Sequence, residues 1–231
     1  MERLAARARL PLRYSQGFNP RPQLSLVCPR PVGLNVREDL LVAGMESPEQ
    51  APPSAVPLRE AQMLDALNRH AATGLRFVRA RRLEGKATPR PIRIQYELPL
   101  DASQMEAVRG RLGELASQEQ WLVDRLVSNS HRPVKRWDKQ QIDIKPLIEQ
   151  VDLADARLTW TARRQGEAWA RPGELLALVG LDSRTDLARV VRTFVTYEND
   201  PLSPAPSAPE SPADTSAAER GNEQGNIDQH R

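Results

Sequence analysis

The sequence is poor in the residues that build metal and redox centres. Its 231 residues contain one cysteine, Cys28, and three histidines, at positions 70, 131 and 230. One cysteine cannot form an internal disulfide, complete a zinc site or hold an iron–sulfur cluster. The histidines are too scattered to predict a shared metal site.

Long apolar runs are also missing. No segment approaches the roughly 18 uninterrupted apolar residues that a membrane-spanning helix needs. The arginine-rich start, residues 1–10, lacks the apolar centre of a secretory signal. We therefore expect a protein of the reducing cytoplasm with no membrane association.

The glycine-rich motifs that cradle nucleotide phosphates are absent as well. The chain contains neither a Gly-x-x-x-x-Gly-Lys-Ser/Thr loop nor a Gly-x-Gly-x-x-Gly turn. Cys28 ends an apolar strand before Pro29, which favours a buried, inert thiol. The sequence thus predicts no catalytic residue, no metal ligand and no cofactor held by this chain.

The charge is unevenly distributed. The formal net charge is +3, but residues 198–231 hold seven acidic and two basic residues, a net of −5. Residues 1–197 hold 31 basic and 23 acidic residues, a net of +8. Three basic clusters, within residues 1–36, 76–93 and 132–139, are typical either of a solvated surface or of a surface that binds a polyanion through counterion release.

Hydrophobic periodicity predicts an α+β fold. Residues 91–98, 121–127, 157–163 and 189–197 have strand patterns, and helices are predicted after a cap at Asp101 or Ser103 and from Pro172 to Gly180. The order β-α-β-β-α-β is the ferredoxin-like, or split βαβ, arrangement. Residues 89–198 are therefore predicted to form one ferredoxin-like unit.

Residues 1–88 have a similar order with one piece missing. A helix over 2–10 precedes extended segments at 23–28 and 39–43, a helix over 58–72 and an extended segment at 75–83. We interpret this half as a first ferredoxin-like unit without its opening strand, in tandem with the second. Residues 199–231 are rich in proline, serine, alanine and acidic residues, and we expect a disordered tail.

The most distinctive segment is Leu-Pro-Leu-Arg-Tyr-Ser-Gln-Gly-Phe-Asn-Pro-Arg-Pro, residues 10–22. A glycine that permits positive φ and two fixed prolines predict a rigid loop that displays aromatic rings and arginines. Such a loop suits a flipped-out base or another planar anionic ligand; the alternative is a helix-to-strand connection whose aromatics cap the core. The candidate binding residues here are Arg13, Tyr14, Gly17, Phe18, Asn19 and Arg21.

Trp137 is the one tryptophan whose neighbours indicate exposure. Its basic neighbours are Arg132, Lys135, Arg136 and Lys139. Trp137 is therefore our candidate for base stacking, whereas Trp121 and Trp160 lie on strand patterns and are expected in the core. Asp143, followed by Lys145, alternates with two isoleucines and could pair with an arginine or contact a substrate. Asp143 and Lys145 complete the candidate set.

The segment at 10–22, continued by Leu-Ser-Leu at 24–26 and Pro-Val-Gly-Leu at 31–34, resembles the bacterial radical-SAM-linked proteins known by the DUF2344 domain. The resemblance is strong over residues 2–45 and extends to residue 197, with Ile-Asp-Ile-Lys-Pro-Leu-Ile at 142–148 as a second point. Members occur as separate chains or fused behind a radical SAM protein. The resemblance therefore implies a partner that holds an iron–sulfur cluster and S-adenosylmethionine.

Two departures from the family pattern stand out. Members usually have histidine where Arg21 stands, which removes a ligand or proton carrier from the loop. They also usually begin with a strand, whereas Met1 falls inside the first helix. We expect a late annotated start or a truncated chain.

The sequence leaves three hypotheses of function, of which the third ranks last. The first is a non-catalytic accessory protein that binds RNA, or another anionic substrate, and positions it for a separate radical SAM protein, in RNA modification. The second is a protein–protein adaptor that docks an acidic partner without nucleic acid. The third is a catalytic or small-ligand pocket at the loop of residues 14–21, beside which no general base is found.

Overall fold

The computed structural model describes residues 1–47, 59–83, 88–129, 136–198, 200 and 202. The chain separates into one unit, Met1–Pro201, and another, Leu202–Arg231. The following concerns the first unit. The predicted disordered tail, apart from residues 200 and 202, lies outside the described residues, as do residues 132 and 135 of the third basic cluster.

The described residues form a mixed α+β fold. Its four helices are α1 (Glu2–Arg7), α2 (Glu60–His70), α3 (Ala102–Ala116) and α4 (Pro172–Leu178). The strands are β1 (Leu24–Leu26), β2 (Asn35–Val36), β3 (Leu41–Ala43), β4 (Arg90–Pro99), β5 (Leu122–Asn129), β6 (Arg136–Asp143), β7 (Ile148–Ala154), β8 (Arg157–Arg163) and β9 (Val191–Glu198).

The largest sheet has five strands in the order β2-β9-β4-β8-β7. Its pairs are antiparallel except for β2, which runs parallel to β9 at the edge. Two further pairs stand apart from it, β1 with β3 and β5 with β6. The first eighty-eight residues therefore contribute an edge strand to the sheet built by the rest of the chain.

Sequence alternation correctly locates the centre of this sheet. Ile94, Tyr96 and Leu98 of β4 are buried, as are Leu158 and Trp160 of β8. They share one core with residues of α3 and α4, including Val108, Leu115, Leu175 and Leu176. Fully burying each such aliphatic side chain contributes about 1.5–3 kcal/mol. Tyr96 stacks on Trp160 with ring centroids 5.1 Å apart, and burial raises the pKa of the Tyr96 hydroxyl.

The predicted strand at 121–127 exists but does not join the main sheet. It is β5, and it pairs with β6 in a separate hairpin. The place beside β8 is taken instead by β7, which the sequence did not predict. The reason is compositional: β6 reads Arg-Trp-Asp-Lys-Gln-Gln-Ile-Asp and β7 begins Ile-Glu-Gln, so neither shows a clear apolar alternation.

The first half of the chain matches the prediction less closely. Strands β1 and β3 and helix α2 fall within predicted segments, but residues 75–83 contain no strand. This segment carries four arginines, and Leu75, Val78 and Leu83 are exposed, so it offers little apolar surface to bury. The described helices α1 and α2 pack through a small cluster of Ala8, Ala66 and Leu67.

Helix α3 begins at a reciprocal cap. The Asp101 carboxylate accepts a hydrogen bond from the Gln104 backbone N–H at 2.8 Å, and the Gln104 side chain accepts one from the Asp101 backbone N–H at 3.3 Å. This capping box satisfies donors that the helix cannot satisfy itself. The backbone N–H of Gln104 and the Ser103 hydroxyl lower the pKa of Asp101.

We expect Asp101→Ala to lower the melting temperature at neutral pH because it removes this cap. A carboxylate whose pKa is lowered on folding stabilises the protein above its unfolded pKa, and this contribution is lost as the pH falls through the folded pKa. The difference in melting temperature between wild type and variant should therefore shrink in acid. Thermal unfolding over a pH series measures it, and a difference independent of pH would contradict the assignment.

No helix in the described ranges is long and apolar enough to cross a membrane.

Candidate nucleic-acid interface

The segment between α1 and β1 forms a loop that is closed at its base by backbone pairs. The backbone N–H of Arg13 donates to the carbonyl of Gly44, and that of Gln23 donates to the carbonyl of Arg13, both at 2.8 Å. Leu12 bridges to Met45, and Tyr14 bridges to Pro22. These contacts attach both ends of the loop to the β1–β3 pair.

The interior of the loop is braced by a serine. The backbone N–H of Ser15 donates to the carbonyl of Arg21 at 2.8 Å, and the Ser15 hydroxyl accepts from the backbone N–H of Arg21 at 3.0 Å. Gly17 has a φ of +150°, a value that side-chain-bearing residues rarely adopt. The predicted use of glycine at this turn is confirmed.

The side chains of this loop, which we call the aromatic loop (residues 13–21), point into solvent. All nine residues are exposed; Phe18 is 103% exposed and Tyr14 46%. The ion pairs among the described residues involve neither Arg13 nor Arg21. The loop therefore does not cap the core with its aromatics, and it exposes two arginines and a phenyl ring on the same short segment.

The β5–β6 hairpin has two unlike faces, since directly opposed residues lie on the same side. On the inner face Val123 and Ile142 pack against the core. Arg125 on this face donates to both carboxylate oxygens of Glu174, at 2.7 and 2.6 Å, and to the carbonyl of Trp169 at 2.9 Å. This bidentate pair fastens the hairpin to α4.

The outer face of the hairpin carries Trp137, which is 63% exposed, as its basic surroundings predict. Lys139 lies on the same face and pairs with Asp124 at 2.8 Å. Leu122 and Leu126 are also exposed there, at 45% and 57%. Trp137 therefore belongs to a partly apolar stripe, which the basic character of residues 132–139 does not reveal.

Asp143 and Lys145 close the base of the hairpin. The Asp143 carboxylate accepts hydrogen bonds from the backbone N–H of Trp121 at 2.8 Å and of Lys145 at 3.0 Å. The Lys145 ammonium donates to the carbonyl of Gln118. Among the described residues Asp143 forms no ion pair with an arginine, and the partners of its carboxylate are these two backbone amides; contact with a substrate stays a prediction.

The remaining candidates of the third basic cluster, residues 132–139, are only partly described. Arg132 and Lys135 lie outside the described residues, and Arg136 is described only as a backbone position of β6. Two cavities, of about 780 Å³ beside α1 and about 280 Å³ beside Trp169, are lined by residues outside the aromatic loop. The loop is thus an exposed projection rather than the wall of either cavity.

Sequence reasoning missed a buried polar network around Arg192, which is 1% exposed. Its Nη1 donates to the carbonyl of Cys28 at 2.7 Å and lies 3.0 Å from the thiol sulfur, and its Nη2 lies 2.5 Å from Asp39. Within the described residues its Nε has no partner. The signal was a charged residue inside the apolar run predicted as a buried strand.

The same network explains Cys28. The prediction of a buried thiol is confirmed, because Cys28 is 5% exposed. Burial raises the pKa of the thiol and outweighs the opposing influence of the Arg192 guanidinium. The sulfur is therefore protonated at neutral pH and is a poor nucleophile.

Comparison with known proteins agrees with the resemblance carried by the aromatic loop. No curated protein and no solved structure matches the chain. Residues 1–184 match the family described as an uncharacterized protein conserved in bacteria (DUF2344). The match spans 184 of the 231 residues, and the chain belongs to the DUF2344 family.

Proposed function

We propose that this protein is a non-catalytic accessory factor that binds RNA and presents it to a separate radical SAM protein, in RNA modification. The observation that carries the proposal is the aromatic loop, in which Phe18 is fully exposed between Arg13 and Arg21. Guanidinium groups attract phosphates, and an exposed ring stacks on a base without regard to its identity. The internal bonds of the loop fix its backbone before RNA arrives, which reduces the ordering cost of binding.

The radical SAM partner follows from the family resemblance. In this division of labour the partner holds the iron–sulfur cluster and S-adenosylmethionine. The only cysteine of this chain is enclosed by Arg192 and the core. The role left to this chain is to bind and orient the substrate.

The strand order of the main sheet bears on the predicted ferredoxin-like fold of residues 89–198. We interpret residues 89–198 as a split βαβ unit whose four strands are β4, β7, β8 and β9, with the β5–β6 hairpin inserted after α3. The observed order β9-β4-β8-β7 and the antiparallel pairing favour this interpretation. A second such unit in residues 1–88, and the boundary at residue 88, stay predictions.

The proposal is tested by the affinity of single-stranded RNA for loop variants. We expect Phe18→Ala to weaken binding by about tenfold, since stacking of a base on an aromatic ring contributes about 1–3 kcal/mol. Val32→Ala is the matched control, because Val32 is 99% exposed and apolar but lies outside the loop. Fluorescence anisotropy with a labelled oligonucleotide measures both; equal affinities for the two variants would contradict a role for the loop.

A second candidate function is favoured by the outer face of the hairpin. Leu122, Leu126 and Trp137 are exposed together, and exposed apolar groups of this kind mark protein–protein contacts. An adaptor would capture one protein partner after nuclease treatment, and Trp137→Ser would abolish the capture while Phe18→Ala would not. RNA-dependent capture would instead support the accessory function.

A further inference from the structure

The alternation of side chains between the two faces of the sheet is interrupted in the middle of strand β9. Phe194 lies opposite Gln95, whereas Arg192 lies opposite the next residue of β4, Tyr96, which leaves Thr193 as an extra residue in a β-bulge. In a regular strand, residues two apart share a face. The bulge instead sends Arg192 into the core with Tyr96 and places Phe194, 51% exposed, on the opposite face of the sheet. Bulges re-aim side chains in this way beside functional sites.

A polar row crosses the sheet at Phe194. Gln95 of β4 lies between Phe194 of β9 and Thr161 of β8, and Thr161 in turn pairs with Gln150 of β7. Side chains opposed in this way are about 5 Å apart at Cβ. The row thus sets one flat apolar ring beside two amides and a hydroxyl, which donate and accept hydrogen bonds.

Arginines border this row on one side. Arg93 and Arg163 are opposed on β4 and β8, one position along the same face, and both are exposed. Arg93 pairs with Glu149 at 2.6 Å, and Arg163 donates to the carbonyl of Pro146 at 2.8 Å. This border therefore carries two guanidinium groups and one carboxylate, an excess of one positive charge.

The acidic groups on the other side are largely compensated. Glu97 forms ion pairs with Arg37 and Arg157. Asp152 accepts a hydrogen bond from the Gln150 amide at 2.6 Å. Among these groups, four arginines stand against three carboxylates, so their charge favours an anionic ligand over a cationic one.

The composition of the face also argues against a packed protein layer. A sheet face that packs on another element carries apolar residues at most positions, and the cores of stable protein interfaces are likewise apolar. Here Phe194 is the one large apolar side chain in a row of amides and a hydroxyl. A ligand that has both a flat apolar face and polar edges fits this combination.

We propose that the open face of the five-stranded sheet is a binding site for single-stranded RNA, with a nucleobase stacked on Phe194. The polar edge of the base meets Gln95 and Thr161, and a phosphate next to that base meets Arg93 and Arg163 at the border of the row. This inference rests on the proposed RNA-binding function and adds to it a surface distinct from the aromatic loop. Stacking of bases on aromatic residues of an open sheet is an established physical mode of reading single strands.

The test uses the full chain and a fluorescently labelled oligouridylate of about 12 nucleotides. We expect Phe194→Thr, which retains a strand-forming residue, to weaken binding by about 5- to 100-fold, the range that base stacking supplies. Phe194→Tyr retains a ring and should bind like the wild type. A thermal melt of each variant checks that the sheet is intact.

Photocrosslinking with an oligonucleotide that contains 4-thiouridine gives an independent readout. Crosslinks to peptides of β4, β8 or β9 would support the site. Wild-type affinity of Phe194→Thr, with crosslinks confined to the aromatic loop, would overturn the inference and leave the proposed function standing. Absence of any saturable binding by the wild-type protein would overturn both.

Discussion

Arg192→Ala is expected to destabilise the protein by about 3–5 kcal/mol, because it leaves a buried acceptor and a partly buried carboxylate without their partner. The Asp39 side chain is 22% exposed and pairs with Arg192, and the Cys28 carbonyl accepts from the same guanidinium. The substitution also opens a cavity in the core. The midpoint of urea unfolding measures the loss.

Two further variants test whether the loss of stability in Arg192→Ala comes from breaking the buried ion pair. Arg192→Met combined with Asp39→Ala removes both charges, and it should be more stable than Arg192→Ala alone because no carboxylate is left unpaired. Arg37→Ala is the exposed control; its partner Glu97 also pairs with Arg157, so a loss of less than about 1 kcal/mol is expected. A loss for Arg192→Ala no larger than that of this control would contradict the network.

Arg125→Ala is expected to cost about 3 kcal/mol and to loosen the β5–β6 hairpin. The Arg125 and Glu174 side chains are each 11% exposed, so water compensates poorly for the lost pair. Glu174 also accepts the backbone N–H of Arg171 at 2.8 Å, which ties the same carboxylate to the start of α4. Hydrogen exchange should therefore quicken in the hairpin more than in β4 and β8.

Lys139→Ala is the matched control on the same hairpin. Its partner Asp124 is 51% exposed, and Lys139 itself is 68% exposed, so solvent screens the pair and little stability depends on it. Hairpin exchange that is unchanged in Arg125→Ala, or raised equally by Lys139→Ala, would show that the buried pair does not fasten the hairpin.

The parts of the fold that the sequence predicts are those with a strong local pattern. The strict alternation from Ile92 to Leu98 predicts β4, and Pro172 with the following leucines predicts α4. Asp101 marks the start of α3. In each case residues close in sequence determine the element, so no distant partner is needed to recognise it.

The parts that could not be predicted depend on distant partners. Strand β6 has few apolar residues and is held by its pairing with β5, while β2 spans only Asn35–Val36 and exists through its contact with β9. The bulge at Thr193 is a matter of register between two strands. No local pattern shows that Arg192 and Phe194 face opposite sides of the sheet.

In the candidate interface, too, some features are predicted by local sequence and others depend on distant contacts. Prolines and a glycine around Phe18 predict the exposed loop, and basic neighbours predict the exposure of Trp137. The exposed apolar residues on the same face as Trp137 are Leu122 and Leu126 of β5, and only the pairing of β5 with β6 brings them to that face. The Asp143 carboxylate accepts a hydrogen bond from the backbone N–H of Trp121, a residue 22 positions earlier in the chain. Only the folded hairpin brings these two residues together.

The most direct test of the central claim is the affinity of the wild-type protein for single-stranded RNA across a salt series. The account predicts that the logarithm of the association constant falls linearly with the logarithm of salt concentration, by about 0.7 for each phosphate contact. Arg13→Ala combined with Arg21→Ala should make the slope shallower by about 1.4, whereas Arg109→Ala with Arg111→Ala, an equal change of charge on α3, should leave it unchanged. A salt-independent affinity, or equal slopes for the two double variants, would contradict it.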